Sequence, residues 1–226
     1  MLKPRKRVTR RELKRDPLME ALYRLRRWWL GHKKQVYRYG GIGLIVVALA
    51  VFVVLSRTKL DKDAAVVVGQ AFVEYGQGNY NAVVAILSAH VDEYSGLESF
   101  GNGLYILARS ELIVGDTTRA EEYYRRYLDD YGNDPLIKAG ALAGLGIIAE
   151  WRTHYRDAAG LFKKASQSAP TASLKQQFAI YAGRNYILSA QPGEALEILQ
   201  PILGEGELDF QTRSEIQALV SSAEAL

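Results

Sequence analysis

Residues 153–166 read THYRDAAGLFKKAS, and three other stretches follow the same plan. They are GNYNAVVAILSAHV (78–91), GDTTRAEEYYRRYL (115–128) and AQPGEALEILQPIL (190–203). Their first residues, Gly78, Gly115, Thr153 and Ala190, stand 37, 38 and 37 positions apart. Each stretch opens on a turn and runs into a helix that carries an alanine. Each is preceded by apolar residues at spacings of three and four, the period of an amphipathic helix. Each is followed by a break, such as Gly132-Asn133-Asp134-Pro135 or Ala169-Pro170. A fixed period of this size marks an array of helical hairpins. One hairpin cannot bury its apolar face alone, so stacking must create the core.

These residues resemble the tetratricopeptide repeat. Its pattern places a small residue in helix A, then a Gly-Asp/Asn-Tyr turn. Helix B follows with an alanine, an aromatic, a second small residue and a closing proline. The third unit carries Leu142, Leu145, Gly146, Tyr155, Ala158, Phe162, Ala165 and Pro170 at the signature positions. The second supplies Leu107, Ala108, Gly115, Asp116, Ala120 and Tyr124. The fourth supplies Gly183, Tyr186, Ala195 and Leu199. The first is degenerate: Ala71, Gly78, Asn79 and Tyr80 fit, but Val83 and His90 stand where small residues are usual. The period is also slightly longer than the family's ~34 residues. Small residues at Ala108, Gly146 and Gly183 are expected to bring helix A close to helix B. Ala120, Ala158 and Ala195 do the same from the other side. Tyr124, Phe162 and Leu199 should fill the space between units. After Gly206, Ile216, Leu219, Val220 and Ala223 form one stripe, as a terminal capping helix requires.

Working toward the N-terminus, charge disappears between Arg38 and Arg57. The 18 residues 39–56, YGGIGLIVVALAVFVVLS, would span roughly 27 Å as a helix, close to the hydrocarbon thickness of a bilayer. No polar face interrupts them, so an amphipathic core helix is excluded. A cleaved signal peptide is disfavoured by the long basic region ahead and the lack of a small-x-small site. Tyr37 and Tyr39 stand where an interfacial aromatic belt belongs, and Arg57 and Lys59 can snorkel at the other end. The organisation expected is therefore residues 1–38 as a basic tail, 39–57 as a transmembrane helix and 58–226 as the repeat domain. The fold class is all-α: a transmembrane helix followed by a tetratricopeptide-repeat α-solenoid.

The overall charge of +4 conceals two opposite regions. Residues 1–38 hold 14 of the 29 Lys/Arg and 3 of the 25 Asp/Glu, a net of +11, and the remainder is −7. Basic residues ahead of the span place the N-terminus in the cytoplasm and the body across the membrane, in the periplasm of a bacterium. The run 1–15 is drawn to anionic lipid rather than to nucleic acid, because the tail is tethered to a membrane. Asp16-Pro17 reads as a helix start. Leu18, Leu22, Leu25 and Trp29 then share a face, and Trp28, Trp29, Tyr37 and Tyr39 are the expected membrane-interface residues. This pattern describes an interfacial helix lying on the inner leaflet; the competing reading is an extension of the spanning helix with a solvated basic face.

Tail, single span and repeat body together resemble the YfgM family of bacterial inner-membrane proteins. The resemblance implies an ancillary subunit of the Sec translocon that pairs with a membrane-anchored periplasmic chaperone or meets exported chains. A scaffold of another envelope complex is the alternative.

Catalytic and cofactor chemistry finds no support. Without cysteine there is no disulfide, thiolate metal site or cysteine nucleophile. His32, His90 and His154 lack metal-ligand spacing, and neither GxSxG nor a phosphate loop occurs. Gly140, Gly144 and Gly146 fall inside a predicted helix, where packing explains them. Asp129-Asp130 and Glu121-Glu122 read as solvated faces. No enzyme activity, metal or cofactor is expected, and the partners expected are proteins and membrane lipids.

What remains is surface. In tetratricopeptide repeats helix A lines the concave face, which here implies Phe72, Tyr75, Tyr105, Arg109, Ile147, Trp151, Arg184 and Ile187. Rings, aliphatic groups and two arginines suit an extended peptide or a partner helix. Some of these residues could instead pack against neighbouring helices. A carboxylate-reading clamp needs Lys and Asn at several places, which only Asn102 and Arg109 approach.

Overall fold

The computed structural model describes residues 17–204 and 208–226. The basic run 1–15, the Asp16 cap and the Gly206 break lie outside them. Among the described residues the chain is all-helical, with no strand. By contacts it divides into two units, Met1–Ser56 and Arg57–Leu226.

The described residues of the first unit belong to helix α1, Pro17–Gly76. No break occurs at Arg38 or at Gly40-Gly41, so residues 18–38 extend the apolar helix rather than forming a separate one. The local reason is the absence of proline; isolated glycines cost only about 1 kcal/mol each. From Tyr37 onward α1 is long and apolar enough to cross a membrane. Its apolar side chains, from Ile42 to Leu55, are exposed, and so are Trp28, Trp29, Tyr37 and Tyr39. Tyr37 meets Trp29 edge-on at 6.2 Å, and His32 stacks on Trp28 at 5.2 Å.

In the second unit, α1 from Leu60 to Tyr75 contributes to the core. There follow α2 (Tyr80–Ser88), a 3-10 turn (Glu98–Phe100), α3 (Gly101–Val114), α4 (Thr117–Asp130) and α5 (Pro135–Trp151). The chain closes with α6 (Tyr155–Ser168), α7 (Ala172–Leu188), α8 (Pro192–Leu203) and α9 (Phe210–Glu224). Helix α2 is short, so His90 sits in the turn after it and not in a helix.

From α2 to α9 the helices pack in chain order, each against the next, and α3 also meets α5 as α7 meets α9. The core moves along with them. Its first part joins Ala71, Leu87, Leu107, Ala108, Ala120 and Tyr124; the second joins Ala158, Phe162, Ala165 and Ala195; the third joins Leu199, Ile202, Ile216 and Val220. Helix α9 buries Ile216, Val220 and Ala223, while Leu219 is half-buried.

The four turns at the sequence repeat have one backbone form. Gly78, Gly115, Thr153 and Ala190 all have positive φ, at 79°, 99°, 59° and 56°. The residue after each donates its N–H to the carbonyl five back: Asn79 to Glu74, Asp116 to Glu111, His154 to Ala149 and Gln191 to Tyr186, all at 2.8–2.9 Å. This is the left-handed helix stop followed at once by a new helix start. Close approach at the small residues is equally consistent. A Cβ on Gly146 would stand 3.0 Å from the Phe162 ring, and one on Gly183 2.6 Å from Leu199 Cδ1.

Candidate partner-binding groove

Helix α5 starts on Asp134, whose carboxylate caps the N–H groups of Leu136 (2.8 Å) and Ile137 (3.2 Å), with Pro135 in the first turn. From there one face of α5 presents Ile137, Gly140, Gly144, Ile147 and Trp151 at spacings of three and four. That face forms the middle of a groove of about 790 Å³. Tyr105, Arg109, Leu112 and Ile113 of α3 line one side; Leu174, Gln177, Phe178 and Tyr181 of α7 line the other. Tyr124 of α4 and Phe162 of α6 reach it from below.

The glycines let two tyrosines pack directly onto α5. The Tyr105 ring occupies the space above Gly140, where a Cβ would fall 2.5 Å from its hydroxyl, and a Cβ on Gly144 would overlap Tyr124. Tyr105 lies 6.1 Å from both Tyr124 and Tyr127, and Phe162 meets Tyr181 edge-on at 5.3 Å. Burial pushes the ionisation of Tyr124 far above the usual phenol range, and that of Tyr127 up to about 12. These rings are neutral packing groups.

Of the eight groove residues expected from the repeat register, Tyr105, Arg109, Ile147 and Trp151 lie on this groove. Trp151 is 60% exposed, so its indole is available rather than part of the core. Arg109 leads to a fifth, since its guanidinium stands 6.0 Å over the Tyr75 ring. Tyr75 is half-buried and meets Tyr80 edge-on at 5.4 Å, and Phe72 is exposed one turn earlier. Two residues are placed otherwise. Ile187 is half-buried against the second core cluster. Arg184 stands 5.8 Å over Tyr181 but pairs with Glu215 of α9 at 2.9 Å, in an adjoining depression shared with Asp209 and Thr212. Sequence reasoning missed Leu136, Ile137, Leu174, Phe178 and Tyr181. The signal for the last three was the 4-and-3 spacing on α7.

Another cleft, of about 550 Å³, is lined by Glu121, Arg125, Arg152, His154, Arg156 and Lys164 among others. Its charges answer one another: Glu121 binds both Arg125 and Arg152, whose hydrogen bonds hold its carboxyl below the usual range. Among the described residues no group of three metal-binding side chains occurs. Neither a family model nor a curated protein matches this chain.

Proposed function

We propose that this protein is a membrane-anchored protein–protein interaction module, in which the apolar stretch of α1 is the anchor and the helical body a tetratricopeptide-repeat solenoid. The observation that carries the reading is the groove. It combines exposed Trp151 with Tyr105 and Arg109, the residue types that dominate binding hot spots. Its lining is mostly rings and aliphatic side chains, which suits a protein contact. The +11 tail favours a cytoplasmic N-terminus and a periplasmic body in the inner membrane. On this reading the resemblance to the YfgM family names the partners: the Sec translocon, a periplasmic chaperone or emerging exported chains.

Photo-crosslinking in cells tests it. A benzophenone amino acid in place of Trp151 should give adducts, and one in place of Lys164 in the charged cleft should give few. Adducts to Sec components or their chaperone support the translocon role, and adducts to another envelope complex assign the module to that complex. Adducts from Lys164 alone would remove the groove from the account.

A further inference from the structure

We infer that the groove receives one face of an amphipathic helix from a partner protein, and that this helix presents a carboxylate to Arg109. The inference rests on the groove being a partner site and names what fills it.

A helix is favoured over an extended chain by the polar groups each would bring. An extended segment carries unpaired N–H and C=O groups into the contact, and each one buried unsatisfied weakens binding. The groove offers them few partners. Its walls are helices, whose main-chain groups bond within their own ladders. Gln177 already donates to the Tyr181 hydroxyl at 3.1 Å. A helix satisfies its own backbone and inserts only apolar side chains at i, i+3/i+4 and i+7, which suits rings and aliphatic walls.

The carboxylate follows from charge. Arg119, Arg125, Arg126, Arg152 and Arg184 each meet an acidic side chain. Arg109 instead lies against Tyr75 and Tyr105, and no described carboxylate pairs with it. It is the one charged residue among those lining the groove. An exposed guanidinium resting on the Tyr75 ring gains from a planar carboxylate that it can grip with two N–H groups. On the groove lining Arg109 is the one cation, so within this face it fixes where the partner's carboxylate sits.

The test uses the full chain in phospholipid nanodiscs and a phage-displayed library of 16-residue peptides, counter-selected on empty nanodiscs. The expected selection is apolar residues at helical spacing, no internal proline, and one Asp or Glu at a fixed offset. The best peptide, made synthetically, should bind Arg109→Met roughly 10-fold more weakly, the scale of a charge-assisted hydrogen bond. Its Glu→Lys version should prefer Arg109→Glu over the wild type. Peptides blocked by Trp151→Ala that are proline-containing, or indifferent to Arg109→Met, would overturn the helix and carboxylate while leaving the groove. No enrichment over empty nanodiscs, or binding unaffected by Trp151→Ala, would overturn the groove reading and this inference with it.

Discussion

Thr153 and Ala190 occupy left-handed backbone at positions where the first two turns have glycine. A β-branched residue at φ 59° is strained, because its Cβ crowds the neighbouring carbonyl. Thr153→Gly and Ala190→Gly should therefore each stabilise the body by about 0.5–1 kcal/mol, net of the added unfolded-state freedom. Thermal unfolding followed by circular dichroism checks this, and Gly115→Thr should lower the midpoint. A second contrast separates glycines that pack from glycines that do not. Nothing lies within 4 Å of a Cβ built on Gly160, whereas one on Gly144 overlaps Tyr124. Gly160→Ala should raise stability by about 0.5–1 kcal/mol through helix propensity, and Gly144→Ala should lower it. The 37- and 38-residue spacing exposed these turns in the sequence, because a repeated backbone form leaves a repeated residue pattern. The packing role of Gly140 and Gly144 was visible only as a class. Which tyrosine fills each gap depends on the neighbouring helix, and no local spacing carries that.

At the scale of helices, the pairing of α5 with α6 rests on Gly146 against Phe162. Gly146→Leu should force the two apart, at a cost of about 1–3 kcal/mol typical of overpacking. An unchanged melting curve would contradict the packing described here. Helix α4 is tied to the end of α5 through Glu121 and Arg152. The Glu121 carboxyl is held below its usual range, so its contribution is present above the unfolded-state value and lost as pH falls through the folded one. Glu121→Gln should cost about 0.5–1 kcal/mol at pH 7, and the cost should shrink as the pH falls through the lowered folded-state value. The groove was half legible at this scale. The resemblance to tetratricopeptide repeats, in which helix A lines the concave face, implied Tyr105, Arg109, Ile147 and Trp151, and these four line the groove. The 4-and-3 spacing on α7 marked Leu174, Phe178 and Tyr181 as one face but not which neighbour it meets, and the pairing of Arg184 with Glu215 depends on α9, which no spacing on α7 carries.

For the whole molecule, charge and hydropathy mark off a basic tail, an apolar stretch long enough to cross a membrane and an acidic body, and these act without detailed packing. The continuity of residues 18–38 with the apolar helix departs from the separate interfacial helix expected, because basic amphipathic character alone does not place a helix end. The proposed topology predicts that protease added to spheroplasts digests the chain after about Lys59 and spares the tail; a protected body would contradict the orientation. The central claim, that the groove holds the partner, is tested most directly by Trp151→Ala combined with Arg109→Ala. Both side chains are exposed, so helicity and melting temperature should stay unchanged. Partner recovery from detergent extracts should fall roughly 10-fold or more, since central hot-spot residues contribute about 2 kcal/mol each. Full recovery by the folded double variant would contradict the claim and move the contact to another surface.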